Sequence, residues 1–121
     1  MIVIDASALI EILKGTATGL QLESLLVNRD LHAPHLLDLE VAQALRRLAL
    51  RNEISVAEAN RAFDDFLTMP ITRHPHTHLL PDIWQLRHNL TAYDAAYLAL
   101  ARYLGAELLT MDAALRKLAR R

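Results

Sequence analysis

The sequence predicts an α/β fold: a parallel sheet of four strands, or five if one follows the last helix, sandwiched between helices. Three observations carry this. Ile2-Val3-Ile4 is a β-branched run of the kind buried inside parallel sheets, and it ends abruptly at Asp5. Similar short runs recur, each separated from the next by segments with a helical apolar period. The resulting order of strand, helices, strand, helices, strand, helices, strand, helix suits parallel strands joined by crossovers.

The first strand is placed at 2–5. From Ser7 the period turns helical through Leu9, Ile10, Ile12 and Leu13 until Gly15, and a second helix follows over 18–27. Leu31-His32-Ala33 reads as a brief strand before Pro34. A long helix covers 35–51, and Ser55-Val56-Ala57-Glu58 has the capping-box spacing that opens another, ending near Met69-Pro70. Ile71-Thr72-Arg73 is the third strand. Thr77 to Asn89 reads as a helix with Pro81 in its first turns, followed by a helix over 93–104 that Gly105 caps. Glu107–Thr110 is the fourth strand, and a short helix starts at Asp112.

At 121 residues, 53% of them hydrophobic and 22% charged, the chain can build a core without staples, and a single domain over 1–121 is expected. Zero cysteine excludes a disulfide scaffold, and a net charge of -1 excludes bulk electrostatic coating of nucleic acid or anionic membrane. No secretory leader and no run long enough to span a bilayer is visible, so the cytoplasm is the expected location.

Ligands of open parallel sheets bind beyond the carboxyl ends of the strands. Asp5 ends strand one and Asp112 follows strand four. Their ordinary reading is helix capping, by Asp5 or Ser7 for the first helix and by Thr110 or Asp112 for the last. Glu40 lies on the apolar stripe of helix 35–51 with Leu37, Val41, Ala44 and Leu48, where a carboxylate needs an arginine partner, a rim position or a metal. Asp94 is the one charged residue in 92–101, although Thr91 to Asp94 also fits a capping box. Four clustered carboxylates without cysteine suit Mg²⁺ or Mn²⁺, which can orient and acidify water for in-line displacement at a phosphodiester. Ser7 and Thr110, two residues from Asp5 and Asp112, can orient the carboxylates as auxiliary hydroxyls.

The segments Ile-Val-Ile-Asp-Ala-Ser at the start, Leu-Asp-Leu-Glu-Val-Ala-Gln-Ala-Leu around Glu40, Thr-Ala-Tyr-Asp-Ala-Ala-Tyr-Leu-Ala-Leu-Ala from Thr91 and Leu-Leu-Thr-Met-Asp to Asp112 resemble PIN domains. The resemblance is to VapC-type toxins of type II toxin–antitoxin pairs, and it covers nearly the whole chain. It implies a Mg²⁺- or Mn²⁺-dependent endoribonuclease that cuts structured RNA such as tRNA or rRNA and inhibits translation. It also implies a homodimer neutralised by a cognate antitoxin, no membrane partner, and Asp5, Glu40, Asp94 and Asp112 as the catalytic and metal-holding acids. Many members continue past the last helix into a fifth strand; as this sequence runs to Arg121, the expectation is a sheet of four strands, with a fifth left open, and an Asp112 held more loosely than in those members.

Arg46, Arg73 and Arg87 are candidate RNA contacts, with Arg47 and Arg51 also following Glu40. Asp38 is expected to face outward and to hold no metal. His74-Pro75-His76-Thr77-His78 is read as a polar loop, because Pro75 breaks any ligand spacing. Apolar residues of the first two helices, including Ile12, Leu13, Leu20, Leu22, Leu25 and Leu26, suit either a partner groove or a full core. Two rival functions share this length and α/β design. A receiver-like phosphoacceptor domain would need an acid after the third strand and a late lysine outside a helix, and a non-catalytic α/β binding module would use the acids as caps and buried ion pairs.

Overall fold

Ile2, Val3 and Ile4 form a wholly buried strand, β1 (Ile2–Ile4), in the computed structural model, which describes residues 1–120. Asp5 leaves the strand: its extended backbone and side chain cap α1 (Ala6–Lys14), which ends on the left-handed Gly15. There follow α2 (Ala17–Ser24), β2 (Leu31–Pro34), α3 (Leu36–Leu50), α4 (Val56–Thr68), β3 (Ile71–His74), a 3-10 turn (Thr77–Leu79), α5 (Leu80–Gln85), α6 (Ala92–Leu104), β4 (Glu107–Leu109) and α7 (Ala113–Ala119).

All strand pairs are parallel, in the order β3, β2, β1, β4. Ile2 stands opposite Leu31 on one side and Glu107 on the other. The chain steps from β1 to β2 to β3, then crosses back to the far side of β1 to make β4. Right-handed crossovers put helices on both faces under that path. Accordingly α1 packs with α2, α3 and α4, whereas α6 packs on β1, β2 and β4 and against α5 and α7. The winding reverses at the carboxyl ends of β1 and β4, which opens the crevice where sheets of this kind place their ligands.

Local chemistry explains the boundaries. Ser55 and Glu58 make the reciprocal capping box of α4, with Ser55 Oγ accepting from Glu58 N and Glu58 Oε1 accepting from Ser55 N. Gly105 closes α6 in the left-handed conformation at φ 64°. Seven consecutive residues of α6, Ala95 to Ala101, are buried, so this helix is enclosed on every side.

The structure shortens several expected elements. Strands one and four end at Ile4 and Leu109 because Asp5 and Thr110 turn their side chains into a shared hydrogen-bond network. The second helix stops at Ser24, and Leu25 lies exposed beyond it. Thr77 to Asn89 is two short pieces rather than one helix, since tight turns through Leu86 and Arg87 follow Gln85. Among the described residues the sheet has four strands. Of the apolar excess, Ile12, Leu13, Leu22 and Leu26 pack on the core, while Leu20 and Leu25 are exposed. The histidine segment is no plain loop: His74 ends β3 and shares a 2.8 Å hydrogen bond with His32 Nδ1 on β2. Among the described residues no three histidine or acidic side chains stand at metal-chelating spacing.

Gly19 sets how closely α2 lies on α1, since a Cβ there would fall 2.0 Å from the Glu11 carbonyl oxygen. At Gly105 a Cβ meets nothing within 4 Å, so alanine there costs only the left-handed backbone, about 1–2 kcal/mol. Alanine at 19 gains about 1 kcal/mol of helix propensity, yet overpacking typically costs about 1–3 kcal/mol and a backbone clash this close exceeds that. Gly19→Ala is expected to lower the urea midpoint more than Gly105→Ala; an equal or smaller loss would show that α1 and α2 separate freely.

Candidate active site

Asp5 is buried, with 5% of its surface exposed, and no cation reaches it among the described residues. Three donors hold it instead. Ser7 Oγ donates to Oδ1 at 2.7 Å, Ala8 N donates to the same oxygen at 3.0 Å, and Thr110 Oγ1 donates to Oδ2. Each hydroxyl also accepts from the turn after β4: Met111 N donates to Ser7 Oγ at 2.9 Å, and Asp112 N donates to Thr110 Oγ1 at 3.0 Å. Both hydroxyl protons are therefore spent on Asp5, and the 3.4 Å approach of Ser7 Oγ to Thr110 Oγ1 is a close packing contact.

Asp112 is the N-cap of α7, accepting from Leu115 N at 2.8 Å. The expectation that it would be loosely held fails, since its amide is tied to Thr110 and its carboxylate to the helix end. Capping is thus real for Asp5 and Asp112, but it accounts for only two of the four acids. Thr91 caps α6 by accepting from Asp94 N at 3.1 Å, without the reciprocal carboxylate bond that completes a capping box at Ser55.

Glu40, half-buried on α3, pairs with no arginine among the described residues. Its partner is Tyr97, whose hydroxyl donates to Oε1 at 2.5 Å. Tyr97 is 1% exposed and sits one helical turn after Asp94, so both face the same crevice from α6. Burial and the adjacent Glu40 carboxylate hold its phenol far above the ordinary tyrosine range, which keeps it a proton donor. Tyr97 was not among the residues expected from sequence; its legible signal is a polar tip three residues after Asp94 in a run of Ala and Leu.

The acids feel one another. Burial raises the Glu40 pKa, the Tyr97 hydrogen bond opposes that, and the charges of Asp94 and Asp5 push it further up. Burial likewise raises Asp94, followed by repulsion from Asp112 and then Asp5, while the Thr91 hydroxyl works the other way. Four carboxylates at one sheet edge, repelling one another and in no salt bridge among the described residues, form a negative centre. Its donor set, oxygen throughout, has the chemistry that a hard divalent cation takes, while no three of these side chains stand at chelating spacing among the described residues, so an ion would draw them closer together.

The candidate RNA contacts are scattered. Arg73 is committed to Asp38, at 3.0 Å, to the Ile71 carbonyl and to the face of Phe66, and Asp38, its side chain 45% exposed, faces outward while pairing with it. Arg87 stacks on Trp84 and bonds its carbonyl. Arg46 borders a groove between α3 and α4 beside Phe63. Arg47, two turns after Glu40, lines an open groove of about 410 Å³ with Glu40, Gln43, Leu39 and the exposed Tyr93. The receiver-like alternative loses its phosphoacceptor, because β3 ends at His74 and Pro75 without an acid.

A raised pKa means that ionising Asp94 costs stability as pH rises above the ordinary aspartate range, despite its favourable place in the first turn of α6. In metal-free buffer at pH 7, Asp94→Asn is expected to raise Tm by about 2–4 °C, the cost being partly screened by solvent. The gain should vanish near pH 3, where Asp94 is protonated; a lower Tm at pH 7 would show that the helix-end attraction outweighs the repulsion.

Comparison with known proteins agrees with this architecture. The PIN domain family profile matches residues 2–121. A VapC ribonuclease of Mycobacterium bovis is 43% identical over 112 residues, which cover 93% of this chain and 86% of that protein. Ribonuclease VapC1 of Mycobacterium tuberculosis is 46% identical over 115 residues, with the same coverage of 93% and 86%. The crystal structure of Mycobacterium tuberculosis VapC20, described as a sarcin-ricin loop cleaving toxin, has the same fold, with a TM-score of 0.69 at 18% identity over 98% of this chain and 95% of that one. With the acidic crevice at the reversal of its parallel sheet, this chain belongs to the PIN domain family and, within it, to the VapC ribonucleases.

Proposed function

We propose that the chain is a Mg²⁺- or Mn²⁺-dependent endoribonuclease toxin that hydrolyses phosphodiester bonds in structured RNA, tRNA or rRNA, and so halts translation until an antitoxin covers it. The observation that carries the reading is the meeting of Asp5, Glu40, Asp94 and Asp112 at one sheet edge, where none of them forms a salt bridge among the described residues. A non-catalytic module explains Asp5 and Asp112 as caps; it leaves Glu40 and Asp94 as unrewarded costs. The ribonuclease names of relatives at 43% and 46% identity support the chemistry.

In this mechanism Asp5, Glu40, Asp94 and Asp112 would hold the divalent ion. When bound, the ion supplies a polarised water and charge compensation for the scissile phosphate. Ser7 and Thr110 keep the Asp5 carboxylate fixed from behind, so that binding does not have to order it. Asp112 is held by its cap, and Glu40 by Tyr97. Arg47, in the groove that begins at Glu40, takes a phosphate of the RNA. A homodimer and the antitoxin are the partners we propose, supported by exposed apolar side chains at Leu20, Leu25, Leu39 and Trp84. Among the described residues no helix is long and apolar enough to cross a membrane, and we place the protein in the cytoplasm.

The test is to incubate antitoxin-free protein with total cellular RNA and Mg²⁺ or Mn²⁺ and map the cut ends. Discrete cuts should vanish with chelator and fall by about 100-fold or more in Asp5→Asn and Asp94→Asn, since several kcal/mol of charge stabilisation is lost. Cleavage retained in both variants would overturn the reading. Arg47→Ala should raise KM for RNA several-fold and reduce the salt dependence of binding by about one unit of slope, with kcat little changed; an unaltered salt slope would remove Arg47 from the RNA path.

A further inference from the structure

Of the four acids, Glu40 is the one that neither caps a helix nor sits in the first turn of one, so no helix end fixes its place. Asp5 and Asp112 each accept an amide of the helix they cap, and Asp94 sits in the first turn of α6 beside Thr91. Glu40 comes from the interior of α3, reaches the crevice on a longer side chain with more rotatable bonds, and has one hydrogen bond among the described residues, from Tyr97. That bond runs between helices on opposite faces of the sheet, so it fixes where Glu40 stands relative to Asp94.

From this geometry we infer that Tyr97 is a positioning residue for the cation site: its phenol fixes Glu40 by one oxygen, Oε1, leaving the other oxygen free to coordinate. The inference rests on the reading of the four acids as divalent-ion ligands. The chemistry of the donor matters. An arginine or lysine at the same place would neutralise Glu40 and occupy the charge that an incoming cation needs, whereas a phenol orients the carboxylate and leaves its negative charge in place. Tyr97 is 1% exposed and Glu40 is its one hydrogen-bond partner among the described residues, so neither solvent nor another acceptor there competes for its proton. A purely structural tyrosine would use Glu40 merely to satisfy its own hydroxyl, and the two roles differ in what Tyr97→Phe changes.

The experiment measures Mn²⁺ affinity of the metal-free, antitoxin-free protein by paramagnetic resonance of the free ion. It compares the wild type, Tyr97→Phe, Glu40→Gln, and a chain with Tyr97 replaced by 4-aminophenylalanine, which restores an N–H donor. Loss of an outer hydrogen bond to a metal ligand typically weakens affinity by about 10–100-fold, and the lower end of that range is expected for Tyr97→Phe. Its Tm in chelator should stay near the wild-type value, its KM for RNA should be unchanged, and raising Mn²⁺ should recover kcat. The amine variant should regain Mn²⁺ affinity. If Tyr97→Phe binds Mn²⁺ as the wild type does while Glu40→Gln does not, the positioning role is overturned and the cation site stands. A fall in Tm with unchanged Mn²⁺ affinity makes Tyr97 a structural residue and likewise overturns it. A wild-type protein that binds no Mn²⁺ removes the cation reading, and the role of Tyr97 with it.

Discussion

The carboxylate of Asp5 is buried at the end of the inner strand β1 without a compensating cation, and the local structure around it exists to make that tolerable. A buried charge is stable only when hydrogen bonds replace the lost water. Here the three donors come from two distant parts of the chain: the Ser7 hydroxyl and the Ala8 amide in the first turn of α1, and the Thr110 hydroxyl just beyond β4. Satisfying Asp5 therefore docks the β4–α7 turn onto the start of α1, and the backbone amides of Met111 and Asp112 complete the arrangement by donating to the same two hydroxyls. Each hydroxyl has one proton to give and lone pairs to receive with, and both capacities are used.

The other three acids divide the cost of assembling negative charge. Asp112 gains a cap in return. Asp94 trades the attraction of a helix N-terminus against burial and the repulsion of Asp112 and Asp5, which raise its pKa. Glu40 gains only the Tyr97 hydroxyl. Stability and function pull in opposite directions at Asp94 and Glu40, where the free protein bears a charge that folding alone does not need. Such a conflict is the expected mark of a ligand site.

Much of the fold was legible because it is written in local rules. The β-branched start, the glycines after α1 and α6, the Ser55–Glu58 capping box and the unbroken burial of α6 each follow from a few neighbouring residues. The boundaries that moved are those where a long-range bond competes with local propensity. Asp5 and Thr110 were placed inside strands by pattern, yet their side chains bind each other across 105 positions of sequence, which ends both strands one residue early. The 77–89 segment has helical apolar spacing but folds as two short pieces, since the turns after Gln85 bring the chain round to Thr91 at the site.

The sequence by itself determined the parallel α/β class, the four acids and the two hydroxyls, because residue type, period and position relative to strand ends are local properties. Only the tertiary structure decided the partners. It gave Glu40 a tyrosine where an arginine was one expectation, tied Arg73 to Asp38, left Arg47 in the groove beside the acids and anchored Asp112. The physical reason is that hydrogen bonds and ion pairs depend on distances of about 3 Å between side chains far apart in the chain, and these are set by how α3 and α6 pack on the two faces of the sheet.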